Sequence, residues 1–140
     1  MQPNEQITGP IIDIAYRVHT QLGPGLLESV YETVFAKMLE KAGFHVERQS
    51  PVSFEFEGIQ FVEACRVDLL VEKKVVIELK ALEALAPVHK RQLLTYLRLL
   101  DLPVGLLINF GAARLNDGLH RILNSRSSSY SAARDVQLSG

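Results

Sequence analysis

The stretch that decides the fold is residues 66–80, which read RVDLLVEKKVVIELK. Two apolar runs rich in valine and leucine, 66–71 and 75–79, stand on either side of the charged triplet 72–74. Short apolar runs bounded by a polar turn are typical of β-strands. The stretch therefore predicts two strands joined by a tight turn.

The length of the turn determines which residues of the two strands face each other. If residues 72–74 form the turn, residue 71 pairs with residue 75, and Asp68 lies directly opposite Glu78. Lys80 points to the same face as Glu78, because side chains two apart on a strand share a face. Two carboxylates and an amine then converge, whereas a two-residue turn would place the carboxylates on opposite faces.

This cluster has the chemistry that metal-assisted hydrolysis of a phosphodiester requires. Carboxylate oxygens of Asp68 and Glu78 can hold Mg²⁺ or Mn²⁺, which activates water and neutralises charge that develops on the phosphate. Lys80 can position the water or stabilise the phosphorane. Without a cation, the two like charges predict perturbed titration of both carboxyl groups. The alternative is a surface hairpin with a cross-strand salt bridge, but Asp68 and the two apolar runs favour the metal site.

The sequence before this hairpin predicts two helices. Apolar residues recur at intervals of three and four over residues 7–22, and the Gly-Pro-Gly triplet 23–25 ends that helix. A second helix is predicted over residues 27–42. Gly43 stands where a left-handed residue commonly closes a helix.

Further strands and one more helix complete the order of elements. Alternation of apolar and polar residues over 54–64 predicts a β-hairpin or meander. Pro87 suits the first turn of a helix that reaches residue 100, and the run 104–110 is apolar on both faces, as a covered strand is. Residues 119–123 predict a last strand or a short helix. This order predicts an α/β fold with a central sheet flanked by helices.

Composition indicates one domain. A chain of 140 residues that is 47% hydrophobic predicts a single core over residues 1–124, followed by a Ser-rich, mobile tail over 125–140. The net charge of −1 weighs against a nonspecific DNA coat but allows a local basic rim. Cys65 is the only cysteine, which excludes an intrachain disulfide. Because neither a membrane-spanning stretch nor a signal peptide is recognisable, we expect a cytoplasmic protein with no membrane partner.

Polar residues on the predicted helices are candidates for supporting roles. Glu28 and Tyr31 lie three apart, and Gln92 and Tyr96 lie four apart, so each pair shares one helix face. The alternative for the tyrosines is an amphipathic core position with the hydroxyl at the surface. The basic segment at the start of the third helix is a candidate for phosphate contact, or else a solvated first turn; it consists of His89, Lys90 and Arg91.

The sequence resembles a known family. The spacing of Gly25, Glu28 and Tyr31 matches the motif of the GxxExxY protein family, which belongs to the PD-(D/E)XK nuclease superfamily, and the likeness covers residues 7–124. The resemblance implies a restriction-endonuclease-like core with a mixed sheet. It also implies that Asp68 and Glu78 bind the metal, since they match the superfamily's metal-binding positions.

The same resemblance assigns roles to the other candidates. It implies that Lys80 aids catalysis, that Glu28 is a third acidic ligand, and that Gln92 and Tyr96 contact DNA or order the site. Val67 stands where the superfamily motif usually has proline.

The leading hypothesis is a Mg²⁺- or Mn²⁺-dependent deoxyribonuclease that uses a metal-activated water. The alternatives are a non-catalytic module on the same fold that binds nucleic acid or dimerises, and a nuclease that acts on RNA. A twofold homodimer would allow a small nuclease to cut both strands, with the first helix as a candidate interface.

Overall fold

The structure is a computed structural model that describes residues 2–129. It contains four helices and five strands within that range, and the long helices predicted from the sequence are present with ends shifted by one or two residues. In chain order the elements are α1 (Glu5–Leu22), α2 (Glu28–Lys41), β1 (Val46–Phe56), β2 (Ile59–Val71), β3 (Val75–Lys80), α3 (Pro87–Leu100), β4 (Val104–Asn109), α4 (Leu115–Gly118) and β5 (Leu119–Leu123).

The five strands form one mixed sheet in the order β1-β2-β3-β4-β5. Strands β3 and β4 are parallel and are connected through α3, whereas the other neighbours are antiparallel. The predicted α/β fold class is therefore confirmed. Residues 119–123 form a strand, which resolves the alternative left open by the sequence, and the hairpin expected at 54–64 is the outer half of a longer one.

Helices cover both faces of the sheet, so the strands in its middle are buried on two sides. α1 and α2 pack on one face around Tyr31, Phe35 and Phe110, and the rings of Tyr31 and Phe110 stack with their centroids 4.9 Å apart. α3 packs on the other face through Leu93 and Leu97. Burial on two sides explains why β3 and β4 read as unbroken apolar runs.

In the middle of β2, the alternation of side chains between the two faces of the sheet is interrupted. Leu69 belongs to the core under α1 and α2, whereas Val67, two residues earlier, belongs to the core under α3. Strict alternation would put both on one face. The change coincides with Gln49 on the neighbouring strand, whose φ of 50° lies in the left-handed region. Asp68 is thus located where the strand rotates.

The first residues of the Ser-rich segment pack against the domain, and the boundary at residue 124 stays a prediction. The Ser127 side chain is buried and its hydroxyl donates to the Asp101 carbonyl (3.2 Å). The Ser128 hydroxyl donates to the Asp101 carboxylate (2.7 Å), so these contacts satisfy groups at the end of α3. Residues 130–140 lie outside the described residues, and the mobility of that part stays a prediction.

None of the helices in residues 2–129 has the length and apolar character that crossing a bilayer would require.

Candidate active site

The turn between β2 and β3 has the length that the register argument requires. Val71 pairs with Val75, and the ladder continues as far as Leu69 and Ile77. Glu72 and Lys73 both have a positive φ, which closes the turn within residues 72–74. The next facing positions along the two strands are Asp68 and Glu78, in agreement with the predicted register.

The backbones of the two strands separate at this point, and the two carboxylates replace the missing ladder bonds. The Asp68 N–H donates to Oε1 of Glu78 (3.0 Å), and the Leu79 N–H donates to Oδ2 of Asp68 (2.8 Å). Each carboxylate therefore binds the backbone of the opposite strand through one oxygen. The sequence predicted the pairing of these residues but not this exchange of hydrogen bonds.

The paired carboxyl groups lie in an environment that disfavours their charged forms. Glu78 is only 6% exposed, and burial, followed by repulsion from Asp68, raises its pKa to about 8. Burial also raises the pKa of Asp68, although the hydrogen bond from Leu79 acts against this effect. Both pKa values are raised, but burial is the largest cause of each shift, whereas the sequence predicted repulsion between the two carboxylates as the cause.

Lys80 follows on the same strand and is half-buried. Its positive charge lowers the pKa of both Asp68 and Glu78, against the effect of burial. Within residues 2–129 the Lys80 amine forms no ion pair. The amine is therefore close enough to act on the carboxylates electrostatically and is still available to another ligand.

The chain that leaves Lys80 is fixed by Asn109, its ladder partner on β4. The Asn109 amide oxygen accepts from the Leu82 N–H (2.9 Å) and the Gly111 N–H (3.1 Å), and its Nδ2 donates to the Leu82 carbonyl (2.9 Å). Position 111 must be glycine, because a Cβ there would overlap the Leu82 backbone. This clamp determines where the strand carrying Lys80 ends.

Glu28 begins α2 and lies beside the carboxylate pair. Burial raises its pKa, repulsion from Asp68 adds to the effect, and Lys80 lowers it. Within residues 2–129, however, no three histidine, cysteine or carboxylate side chains are grouped closely enough to hold a metal ion by themselves. The role of Glu28 as a third ligand therefore stays a prediction.

Tyr31, a candidate for support or DNA contact, has a different place from the other candidates. Its side chain is fully buried, so it cannot touch a nucleic acid. Its hydroxyl donates to the Gly23 carbonyl and accepts from the Leu26 N–H (3.2 Å). Tyr31 thus holds the turn that precedes Glu28.

Of the α3 candidates, Tyr96 lies nearest the carboxylates. Its pKa is raised by burial, then by its contact with Cys65 and by the negative charges of Glu78 and Asp68. Gln92, one turn earlier, is exposed. α3 therefore brings a hydroxyl to the carboxylate pair from the face opposite α2.

The basic segment of α3 divides into two roles. Nδ1 of His89 accepts a hydrogen bond from the Ala86 N–H (2.9 Å), so His89 caps the helix start, and its contact with DNA stays a prediction. Lys90 and Arg91 are exposed and line a pocket between the loop after β3 and the segment after β4. Their exposure agrees equally with a solvated first turn and with phosphate contact.

Three residues near Asp68 were missed in the sequence. Nε2 of Gln49 donates to Oε1 of Glu32 (2.6 Å) and makes a longer contact with Oδ1 of Asp68 (3.4 Å). Arg48 binds the other oxygen of Glu32 (3.0 Å). The spacing of Glu28 and Glu32, four apart on one helix face, was the available signal for Glu32, but nothing local indicated Gln49.

Comparison with known families gives one match. The sequence profile of the PD-(D/E)XK nuclease superfamily matches residues 5–122, which include every element from α1 to most of β5. The five-stranded mixed sheet with flanking helices is consistent with the restriction-endonuclease-like fold of that superfamily. No curated protein and no solved structure matches the chain.

Proposed function

The chain belongs to the PD-(D/E)XK nuclease superfamily, and from this premise we propose that it hydrolyses phosphodiester bonds of DNA with Mg²⁺ or Mn²⁺ bound at Asp68 and Glu78. Nucleases of this superfamily generally use divalent metal ions. The observation that carries the proposal is the carboxylate pair at the point where β2 and β3 separate.

The donor set fits a hard divalent cation. Each carboxylate accepts a backbone N–H through one oxygen. The second oxygen of each can bind a ligand, since that of Asp68 makes only the long contact with Gln49 (3.4 Å). Mg²⁺ is commonly bound by one or two carboxylates together with water and substrate phosphate, and does not need a cage of three side chains. A cation at the pair would also relieve the repulsion that raises the pKa of Glu78.

The residues around the pair supply the remaining functions. The cation, when bound, supplies Lewis-acid activation of water and neutralises phosphate charge. We assign to Lys80 the positioning of the attacking water or the stabilisation of charge on the phosphate oxygens, because its amine lies near both carboxylates without an ion pair. Tyr96 borders the same space from α3 and would orient the substrate or the water.

The finer assignment to the GxxExxY family is also a proposal. It is supported by the conformation of the motif: Gly25 has a φ of +108°, which strongly favours glycine, and Tyr31 fastens this turn to the core. The motif thereby places Glu28 at the start of α2, next to Asp68. We propose that Glu28 moves toward the cation as a third ligand when substrate is bound.

A digestion assay tests the proposed function. Fluorescent DNA is incubated with Mn²⁺ and the wild type, Asp68→Ala, Lys80→Ala or the control Lys74→Ala, which changes an exposed lysine of the β2–β3 turn. We expect cleavage by the wild type and the control, and a loss of at least about a hundredfold in both site variants. Equal cleavage by all four proteins would refute the site, and binding of DNA without cleavage would support a non-catalytic module.

A further inference from the structure

A pocket of about 760 Å³ lies beyond the ends of β3 and β4, where Lys80 and Asn109 are ladder partners. Its walls come from the loop after β3, the first turns of α3, and the segment between β4 and β5. Asn109 belongs to this wall and is also the ladder partner of Lys80, so the pocket borders the strand that is hydrogen-bonded to the one carrying the lysine.

The walls combine three kinds of chemistry. Lys90 and Arg91 supply two exposed positive charges, which suit a phosphodiester. Glu83 and Asp117 supply hydrogen-bond acceptors, and four alanines, 84, 86, 112 and 113, supply apolar surface. A bare phosphate would use only the cations. A whole nucleotide offers a phosphate to the cations, an N–H donor of its base to the acceptors, and the flat face of its base to the apolar surface.

His120 completes the wall at β5. Burial and then the nearby positive charge of Lys90 lower its pKa, which favours the neutral form of the ring. A neutral imidazole offers a flat face for stacking on a base without adding charge.

The size of the pocket restricts its occupant. Pockets of 300–1,000 Å³ typically hold one small ligand, which is the scale of a single nucleotide. A duplex, whose major groove alone is about 12 Å wide, is too large to enter. A base in a duplex would first have to unpair and unstack, which costs free energy. A base in a single strand has no pairing to lose, so it enters at a lower cost.

We propose that this pocket receives one unpaired nucleotide of the strand being cut, and that single-stranded DNA is therefore the preferred substrate. The phosphodiester of that nucleotide contacts Lys90 and Arg91, and its base lies between the alanine surface and His120. The inference rests on the proposed function for the position of the cut, but the pocket's affinity for a single strand does not depend on catalysis.

The test compares two pocket variants with matched controls. Ala113→Trp fills the pocket from an exposed position, and Arg91→Glu reverses one charge. Their controls are Ala64→Trp on the exposed outer hairpin and Lys73→Glu in the β2–β3 turn. Binding of a fluorescein-labelled oligothymidylate is measured by anisotropy in EDTA. Cleavage with Mn²⁺ is measured on single-stranded DNA, on the same sequence as a duplex, and on bis(p-nitrophenyl) phosphate, which is too small to reach the pocket.

We expect the wild type to cut the single strand at least about tenfold faster than the duplex. Each pocket variant should weaken oligothymidylate binding about tenfold and lower the ratio of single-strand to small-ester cleavage by a similar factor, while both controls resemble the wild type. Because Arg91→Glu changes only an exposed side chain, it keeps the test decisive if Ala113→Trp fails to fold.

The outcomes separate the two proposals. Equal cleavage of single strand and duplex, or pocket variants that bind like their controls, would overturn the pocket inference and leave the proposed function standing. Pocket-dependent binding with no cleavage of any substrate would overturn the proposed function alone. Tighter binding of oligouridylate than of oligothymidylate would overturn the choice of DNA.

Discussion

At the scale of single residues, Glu78 bears the largest electrostatic cost in the site. Its carboxyl group is buried beside Asp68, and both effects favour the protonated form. A buried pair of like charges weakens folding unless a cation or protons compensate. The unfavourable burial of these two carboxyl groups is consistent with a site that binds a metal ion and is less stable without one.

Stability without metal should therefore fall as pH rises. The Glu78 pKa is 4.5 in the unfolded chain and about 8 in the folded protein, so between these values the folded state holds a proton that the unfolded state has released. The free energy of unfolding then decreases with pH by up to about 1.4 kcal/mol per unit. Thermal melts in EDTA should show this decline, and Glu78→Gln should flatten it.

The matched control is Glu55→Gln on the exposed outer hairpin, which should keep the wild-type slope. A wild-type melting temperature that stays level or rises between pH 5 and pH 8 would show that the carboxylate pair is not strained by burial.

Gln49 provides a second prediction at this scale, as a positioning residue for Asp68. Its amide reaches both Glu32 and Asp68, and its positive φ suits glycine. Gln49→Gly should therefore leave the backbone unstrained while removing the amide. Outer partners of metal ligands typically account for 10–100-fold in affinity, so we expect Mn²⁺ affinity, measured by calorimetry, to fall about tenfold.

Glycine at another exposed position of the hairpin, Gln60→Gly, should leave Mn²⁺ affinity unchanged. An unchanged affinity in Gln49→Gly as well would mean that Asp68 needs no support from β1.

At the scale of elements, the clamp between the ends of β3 and β4 is the feature on which the position of Lys80 depends. Asn109 is 1% exposed and its side chain binds the backbone of Leu82 in both directions. The side chain thus continues the parallel ladder beyond its last residue. A reactive group on a rigid strand end of this kind is positioned more precisely than one on a loop.

Loss of the clamp should cost stability. Asn109→Ala removes the acceptor of the Leu82 and Gly111 N–H groups and the donor to the Leu82 carbonyl, and each such hydrogen bond contributes about 0.5–1.5 kcal/mol. Urea unfolding should show a loss of at least about 2 kcal/mol, whereas Asn116→Ala, at an exposed position of α4, should change stability by less than about 0.5 kcal/mol. Equal stability of the two variants would argue against the clamp.

Elements were also the level at which sequence patterns were most informative. Three- and four-residue periodicity predicted α1 and α2, and the three-residue turn after Val71 predicted the facing of Asp68 and Glu78. The change of faces in β2 opposite Gln49 was not predictable, because a non-glycine residue with a positive φ cannot be recognised from the sequence. The contact of Gln49 with Glu32 was also not predictable, because it joins a strand to a helix and depends on how the two pack in the folded protein.

At the scale of the whole molecule, the site lies at a gap between β2 and β3 that is bordered by helices from both faces of the sheet. α2 brings Glu28 and Glu32 from one face, α3 brings Tyr96 from the other, and the separation of β2 from β3 opens a gap between them. Both helices are fixed by apolar cores that the sequence patterns predicted. The polar groups at the gap depend on the relative placement of those layers. The sequence alone therefore did not reveal that Tyr31 holds the turn before Glu28 or that His89 caps α3.

The central claim, that Asp68 and Glu78 bind a catalytic divalent cation, is tested most directly by anomalous diffraction from a crystal soaked in Mn²⁺. The crystal should be buffered above the pKa of Glu78, so that both carboxyl groups are ionised. We predict an anomalous peak bridging one oxygen of Asp68 and one of Glu78, within about 2.3 Å of each, with Lys80 facing the remaining coordination positions. Saturating Mn²⁺ that binds elsewhere, with no peak between the two carboxylates, would contradict the account.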